Sequence, residues 1–376
     1  MKTILNYIHQ YFRKLDKQLL LAVLLVSAYG TVLLYSMSCA DIIDVSYVGT
    51  QIKGIILGAF AALVLSSIDY HFYAKLWFLY VPVTLGMVLL TFTSLGFQPE
   101  GTDDRAWIDL GFTTLQPSEF LKLAFILSFA YHLSKVEENM NSLLNVALLC
   151  LHGAVPVLLI SKQGDDGTAI VFLVIFAAML FAAGISWKYI LCAAIAAPFA
   201  GWFIWNYVMQ DHHRQRFLVL FSDDPDPTIF YHQKVGLIAL GSGQLFGKGL
   251  FGGDYSYVPK VHNDFIFSYV GQSCGFIGCV ALVAVLSYIC IKTVADSRIA
   301  KDTLGRNICI GVFGMMFAHC TMNIGMVLAV MPVIGVPLPF MSAGGTAMLS
   351  MYIAIGMVMS VYSHSEKNYR VFYDAN

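Results

Sequence analysis

Charge is what this chain has least of. Only 12% of its 376 residues are Asp, Glu, Lys or Arg, against 58% hydrophobic residues and a mean hydropathy of +0.71. A soluble globular domain carries about 25% charged residues, so this chain lacks the polar surface to cover itself in water. It also lacks an excess of either sign, with a formal net charge of -1. No basic field exists to hold nucleic acid. Its eight cysteines lie mostly inside apolar runs without metal-ligand spacing, which excludes a zinc module and reads as small core hydrophobes. No internal repeat is visible. The N-terminal stretch "MKTILNYIHQYFRKLDKQ" is a basic, partly amphipathic lead-in rather than a cleavable leader.

What the chain does have is long apolar runs. A bilayer-crossing helix needs about 20 mostly apolar residues. Ten runs qualify, at 19–38, 48–68, 74–94, 117–134, 143–161, 168–184, 187–208, 265–291, 307–330 and 341–362. The sixth and seventh are separated by a tight turn near Gly184. The ninth and tenth are joined by "MPVIGVPLPF", whose three prolines forbid a regular helix. The reading is a single all-α polytopic membrane domain, 1–376, with a long outer loop at 209–264 between spans 7 and 8.

Basic residues orient it. An even number of spans puts both termini on one side. That side collects thirteen Lys and Arg (2, 13, 14, 17, 75, 135, 188, 292, 298, 301, 306, 367 and 370), against Arg105 and Lys162 in the short loops of the other. The positive-inside rule then places both termini in the cytoplasm, and the loops 95–116 and 209–264 outside. The outer face therefore carries Asp103, Asp104, Arg105, Lys162, Asp165, Asp166, Arg214, Arg216 and the cluster His262-Asn263-Asp264.

Several of these fall in patterns that suit chemistry. In "TLQPSEFLKLAFIL", Pro117 suits a first helical turn, and Glu119 and Lys122 share a face at i, i+3. A charge at membrane depth costs about 2.5–3.5 kcal/mol, so the two read either as a structural pair with a snorkelling lysine or as the floor of an outward-opening polar cavity. In "SKQGDDGTAIVF", Asp166 suits an N-cap, while Asp165 is harder to place that way and is a candidate to hold a divalent cation or a basic partner. Arg214 and Arg216 suit a diphosphate or anionic headgroup, and Arg105 is grouped with them; ordinary headgroup contact is the alternative. The glycine-rich stretch "GSGQLFGKGLFGGDYSYVP" lets backbone approach a ligand closely. Asp264, against the eighth span, reads equally as its N-cap or as a carboxylate whose pKa is raised beside apolar surface, fit for a general base.

The segments "WIDLGFTTLQPSEFLKLAFIL", "QGDDGTA", "GSGQLFGKGL", "VPKVHNDFIFSYVG" and "NIGMVLAVMPVIGVPLPFMSAGGTAMLSM" resemble, in order and spacing over nearly the whole chain, the SEDS family of RodA, FtsW and SpoVE. "SSIDYHF" leans toward the RodA branch. The resemblance implies a ten-span peptidoglycan glycosyltransferase. It would polymerise lipid II at the outer face of the cytoplasmic membrane with a class B penicillin-binding protein. The family's essential aspartate falls on Asp264, its outer-motif tryptophan on Trp107, its QPSE glutamate and following lysine on Glu119 and Lys122, and a further aspartate on Asp165. The chain departs from the family pattern at Gln272-Ser273, where two glutamates are usual, at Ala343, where a tyrosine is usual, and at Gly164, where a proline is usual.

On this reading Asp264 is the base. Lys122, Arg214, Arg216 or a divalent cation (magnesium or manganese) supplies charge to the leaving diphosphate. Glu119 orients Lys122 or the sugar, and Trp107 stacks on a sugar or anchors at the interface. A flippase for a lipid-linked precursor and a non-catalytic scaffold for a penicillin-binding protein are the alternatives.

Overall fold

The computed structural model describes residues 11, 13–98, 104–111, 114–209, 211–222 and 227–365. Asp103, Lys2, Lys367, Arg370 and the acidic turn at 223–226 lie outside the described residues.

The ten apolar runs form helices in chain order. They are α1 (Lys17–Cys39), α2 (Ser46–Ser67), a third span split into α3 (Tyr70–Lys75) and α4 (Trp77–Leu90), α5 (Pro117–Val136), α6 (Leu143–Lys162), α7 (Asp166–Ala183), α8 (Trp187–Phe203), α11 (Ile266–Arg298), α12 (Thr303–Val327) and α13 (Gly345–Ser363). Between α8 and α11 lie α9 (Asp211–Leu218) and α10 (Pro227–Ser242). Among the described residues, eight helices are long and apolar enough to cross a bilayer. The shorter α4 and the charge-bearing α5 bring the spans to ten. The protein is a multi-pass membrane protein.

Local chemistry sets the helix ends. Asp16 accepts from the Leu19 amide at the start of α1, and Asp302 from Gly305 at the start of α12. Gly184, in the left-handed region at φ 93°, closes α7. Close helix approach rests on small residues, as expected where lipid supplies no hydrophobic drive. In α2, Gly54 and Gly58 lie against Met348 and Tyr352 of α13, and Gly356 of α13 returns the contact on Ala62. At one end of the bundle, Lys292 pairs with both Asp16 and Asp296, His71 and Tyr70 meet Asp302, and the Ser363 hydroxyl donates to the Lys14 carbonyl. The start of α1 and the end of α13 therefore share a face.

Three features depart from the sequence reading. First, the connection 95–116 holds a small antiparallel sheet of β1 (Gly96–Phe97), β2 (Trp107–Asp109) and β3 (Thr114–Leu115), with Phe97 opposite Trp107 and Ile108 opposite Leu115. Strands this short carry no period-2 signal. Second, segment 209–264 is not simply a loop: α10 buries Gln233 and Ala239 and packs on α11. Third, part of the glycine-rich stretch packs against the backbone of α11, a contact the sequence reading did not include. The α11 helix is broken at Gly275 (φ 69°, ψ -167°), about 14 Å along from Ile266 at 1.5 Å per residue. The break orphans carbonyls and amides where lipid offers no partners. Residues 244–249 splice in. Lys248 N and Gly249 N donate to the Gln272 and Ser273 carbonyls at 2.9 and 3.0 Å. Phe276 N and Ile277 N donate to the Gln244 and Leu245 carbonyls at 2.7 and 3.2 Å.

This splice needs a glycine at 243, where a Cβ would lie 1.9 Å from the Gly271 carbonyl oxygen. Gly243→Ala is expected to destabilise the protein by about 1–3 kcal/mol through overpacking. Gly241→Ala, where a Cβ meets open space, is expected to leave it unchanged. Thermal unfolding of the two variants in matched detergent checks this; equal melting temperatures would remove the splice as a source of stability.

Candidate active site

The α12–α13 connection is irregular and rich in proline, so its backbone groups need partners from side chains. Gln233 Nε2 donates to the Met326 and Met331 carbonyls at 3.0 and 2.7 Å, His319 Nδ1 to Pro337 at 3.1 Å, and Asn323 Nδ2 to Val336 at 2.8 Å. The Ser342 hydroxyl accepts from Leu338 N at 2.9 Å. The connection is also stitched to the turn before α11. Ala343 N donates to His262 O at 2.8 Å, Ser342 Oγ to Asn263 O at 2.6 Å and Asn323 Nδ2 to Asp264 O at 2.9 Å. Three successive carbonyls are thus held in place.

Asp264 does not cap α11. The N-cap position belongs to Phe265, and its side chain makes no capping bond. The Asp264 carboxylate is half-buried, and among the described residues it accepts no hydrogen bond. Burial pushes its pKa up to about 6, with Asp104 adding to the rise and Lys260 opposing it. Asp165, by contrast, is the N-cap of α7: it accepts from Thr168 N at 2.9 Å. The expectation that Asp166 fills that place is corrected; Asp166 is the first helical residue and accepts from Ser161 Oγ. Gln116 Nε2 reaches the other Asp165 oxygen at 3.2 Å and ties the starts of α5 and α7 together. Burial, then Asp104, pushes Asp165 to about 6 as well. Asp104 is therefore within electrostatic reach of both carboxylates.

Beneath this rim lies a closed ionic group. Lys122, fully buried, donates to Glu119 Oε1 at 2.8 Å and lies 2.8 Å from His319 Nε2. Since an ammonium only donates, Nε2 accepts, and Nδ1 carries the proton given to Pro337. Ser350 donates to the second Glu119 oxygen at 2.6 Å. Two ammonium protons and both Glu119 oxygens thus have partners, which offsets the cost of burying the pair.

The remaining candidates are more dispersed. The Arg105 guanidinium is used on the Gly96 and Thr93 carbonyls, and its amide on Gln163 O. Arg214 bonds Asp211 and the Asn206 carbonyl, bracing α9 locally. Arg216 and Lys260 both bear on His232, whose ring centroid lies 6.2 Å from that of Phe265. Trp107 is half-buried on β2. Among the described residues, no three His, Cys, Asp or Glu side chains are grouped to hold a metal ion. His319, Asn323, Ser350 and Gln116 escaped the sequence reading. For the first two a signal existed: polar residues four apart inside an apolar span point to a functional interior.

With this geometry established, the chain can be set beside known proteins. Residues 16–367 match the FtsW/RodA/SpoVE family of cell cycle proteins. The chain belongs to that family. It is 31% identical to the peptidoglycan glycosyltransferase MrdB of Escherichia coli (strain K12) over 354 residues, which is 93% of this chain and 94% of the relative. It is 30% identical to a probable peptidoglycan glycosyltransferase FtsW of Trichlorobacter lovleyi, over 92% of each. Its fold is similar to a chain of a peptidoglycan synthase complex that coordinates polymerization and crosslinking (TM-score 0.79, 25% identity, 95% of this chain and 99% of that one). It also resembles the fold of the rod-shape-determining protein RodA of Thermus thermophilus (TM-score 0.70, 24% identity, 94% and 98%). The SEDS resemblance read from the motifs is the same family.

The buried Glu119–Lys122 pair yields a non-additive expectation. Glu119→Gln or Lys122→Met alone should each cost about 3–5 kcal/mol by stranding the other charge. The double variant should cost less than the sum by at least about 1 kcal/mol. Denaturant or thermal unfolding of all four proteins checks this; additive costs would mean that the two charges act independently.

Proposed function

We propose that this protein is a peptidoglycan glycosyltransferase that polymerises lipid II, with Asp264 as the general base. It would sit in the cytoplasmic membrane with both termini inside. The activity follows the relatives, both peptidoglycan glycosyltransferases by name. The observation that carries the base assignment is the state of Asp264: a half-buried carboxylate, excluded from capping, with its backbone carbonyl clamped and its own oxygens unspent.

The chemistry is a single in-line displacement. The donor sugar is held through an α-linked diphosphate, and the product linkage is β-1,4, so the anomeric centre inverts. The acceptor's 4-hydroxyl oxygen bonds to the donor's anomeric carbon. Asp264 takes the hydroxyl proton as that bond forms. The bond from the anomeric carbon to the diphosphate oxygen breaks, and the polyprenyl diphosphate leaves with the electron pair. Positive charge stabilises that leaving group. Lys260 bears on the Asp264 carboxylate, and Arg216 bears on the neighbouring His232. Lys122, enclosed between Glu119 and His319, holds the floor of the site under the proline-rich connection. Asp165 supports the wall through Gln116 and α7, and Trp107 and Arg105 belong to the outer sheet above it. A class B penicillin-binding protein is the proposed partner, in keeping with the synthase complex that the fold matches.

Polymerisation of lipid II by purified protein with its partner tests this reading. Asp264→Asn is expected to lose at least about 100-fold in rate. Activity of the wild type should fall as pH drops through about 6, where the carboxylate takes up its proton. The folded-state pKa is raised, so ionised Asp264 opposes folding above pH 6. Asp264→Asn should therefore melt no lower than wild type at pH 8, with the gap closing below pH 6. Normal polymer from the variant would overturn the base assignment. Headgroup translocation in liposomes without polymer would instead favour a flippase.

A further inference from the structure

Asn323 lies on α12 one turn beyond His319 and is fully buried. Its Nδ2 donates to two carbonyls, Asp264 O at 2.9 Å and Val336 O at 2.8 Å. An amide nitrogen has two protons, so both are committed. Neither carbonyl has a helical partner to fall back on. Ser268 N, which would reach Asp264 O in a regular helix, bonds Phe265 O at 3.0 Å instead. On the other side, Val336 precedes Pro337, which has no N–H to offer the local backbone.

The connection that Asn323 grips is also the wall beside the carboxylate. Gly335 has φ 65°, and a Cβ placed there would come within 3.9 Å of Asp264 Oδ2. One side-chain amide therefore sets the spacing between the turn carrying Asp264 and the backbone facing it. The neighbouring ties, from Ser342 to Asn263 and from Ala343 to His262, hold the turn but not the residue itself.

We propose that Asn323 is a positioning residue for the polymerisation reaction, holding the Asp264 carboxylate at its working distance from the 334–337 wall. This rests on the reading of Asp264 as the base. Asn323 does not touch the reacting atoms; it acts through the backbone of Asp264. The charged groups that face the carboxylate are Lys260 on its own segment and Asp104 across the cleft. The Glu119–Lys122–His319 group lies below, reaching the wall through Pro337.

The test is steady-state polymerisation by Asn323→Ala with its partner, across pH 5 to 9, on monodisperse protein of verified melting temperature. The expected result is a fall in kcat of about 10- to 100-fold from misplacement, with KM for lipid II within about twofold. The acid limb should move down by at least about half a pH unit as the released carboxylate gains water. Asn323→Ser, which keeps one donor, should fall between Ala and wild type; it also serves as the test variant if Ala does not fold. A wild-type kcat and acid limb would overturn the proposal. So would a kcat loss that follows the melting temperature while the acid limb stays put. Asp264→Asn run in parallel separates the two claims: if it polymerises normally the base reading fails, and if it is inactive while Asn323→Ala keeps the wild-type acid limb, only the positioning role fails.

Discussion

A bilayer offers no hydrogen bonds, and that constraint shapes each irregular feature of this protein. Backbone that leaves the helix at membrane depth must find its partners within the chain. It does so twice. At Gly275 the α11 ladder opens and residues 244–249 complete it, amide for carbonyl. Between α12 and α13 three prolines remove donors, and the side chains of Gln233, His319 and Asn323 replace them. The candidate site lies where the second repair meets the turn before α11.

The same constraint governs charge. Glu119, Lys122, His319 and Ser350 form a closed set in which each strong donor meets an acceptor. Asp264 is treated in the opposite way. The carbonyls of residues 262, 263 and 264 are all held, while among the described residues the carboxylate of Asp264 has no hydrogen bond. A fixed backbone with an unspent acceptor is an arrangement that stability alone would not favour. It keeps the carboxyl's proton affinity high and its oxygens available to a hydroxyl.

The apolar runs were legible because a 20-residue span is a length and composition signal that survives without tertiary context. All ten appear as helices within a few residues of their expected ends, apart from the break in the third and the extension of the eighth to Arg298. The Glu119–Lys122 pair was legible because i, i+3 spacing on a helix forces proximity. The identity of the α7 cap was not. Adjacent Asp165 and Asp166 are equivalent in composition, and only the backbone dihedrals at Asp165 let its side chain reach Thr168 N. The backbone contact of the glycine stretch was not legible, because glycine reports close approach without naming what approaches. The small outer sheet was missed because two- and three-residue strands leave no alternation to detect.

Sequence alone determined that the chain spans a membrane, because burial of apolar length is an additive property of residues. Tertiary structure alone decided which polar groups are spent and which are left over. Asp165, Arg105 and Arg214 are committed to caps and carbonyls; Asp264 is not. That division depends on hydrogen bonds between residues as distant in sequence as Glu119 and Ser350, 231 apart, and their geometry exists only once the helices have packed.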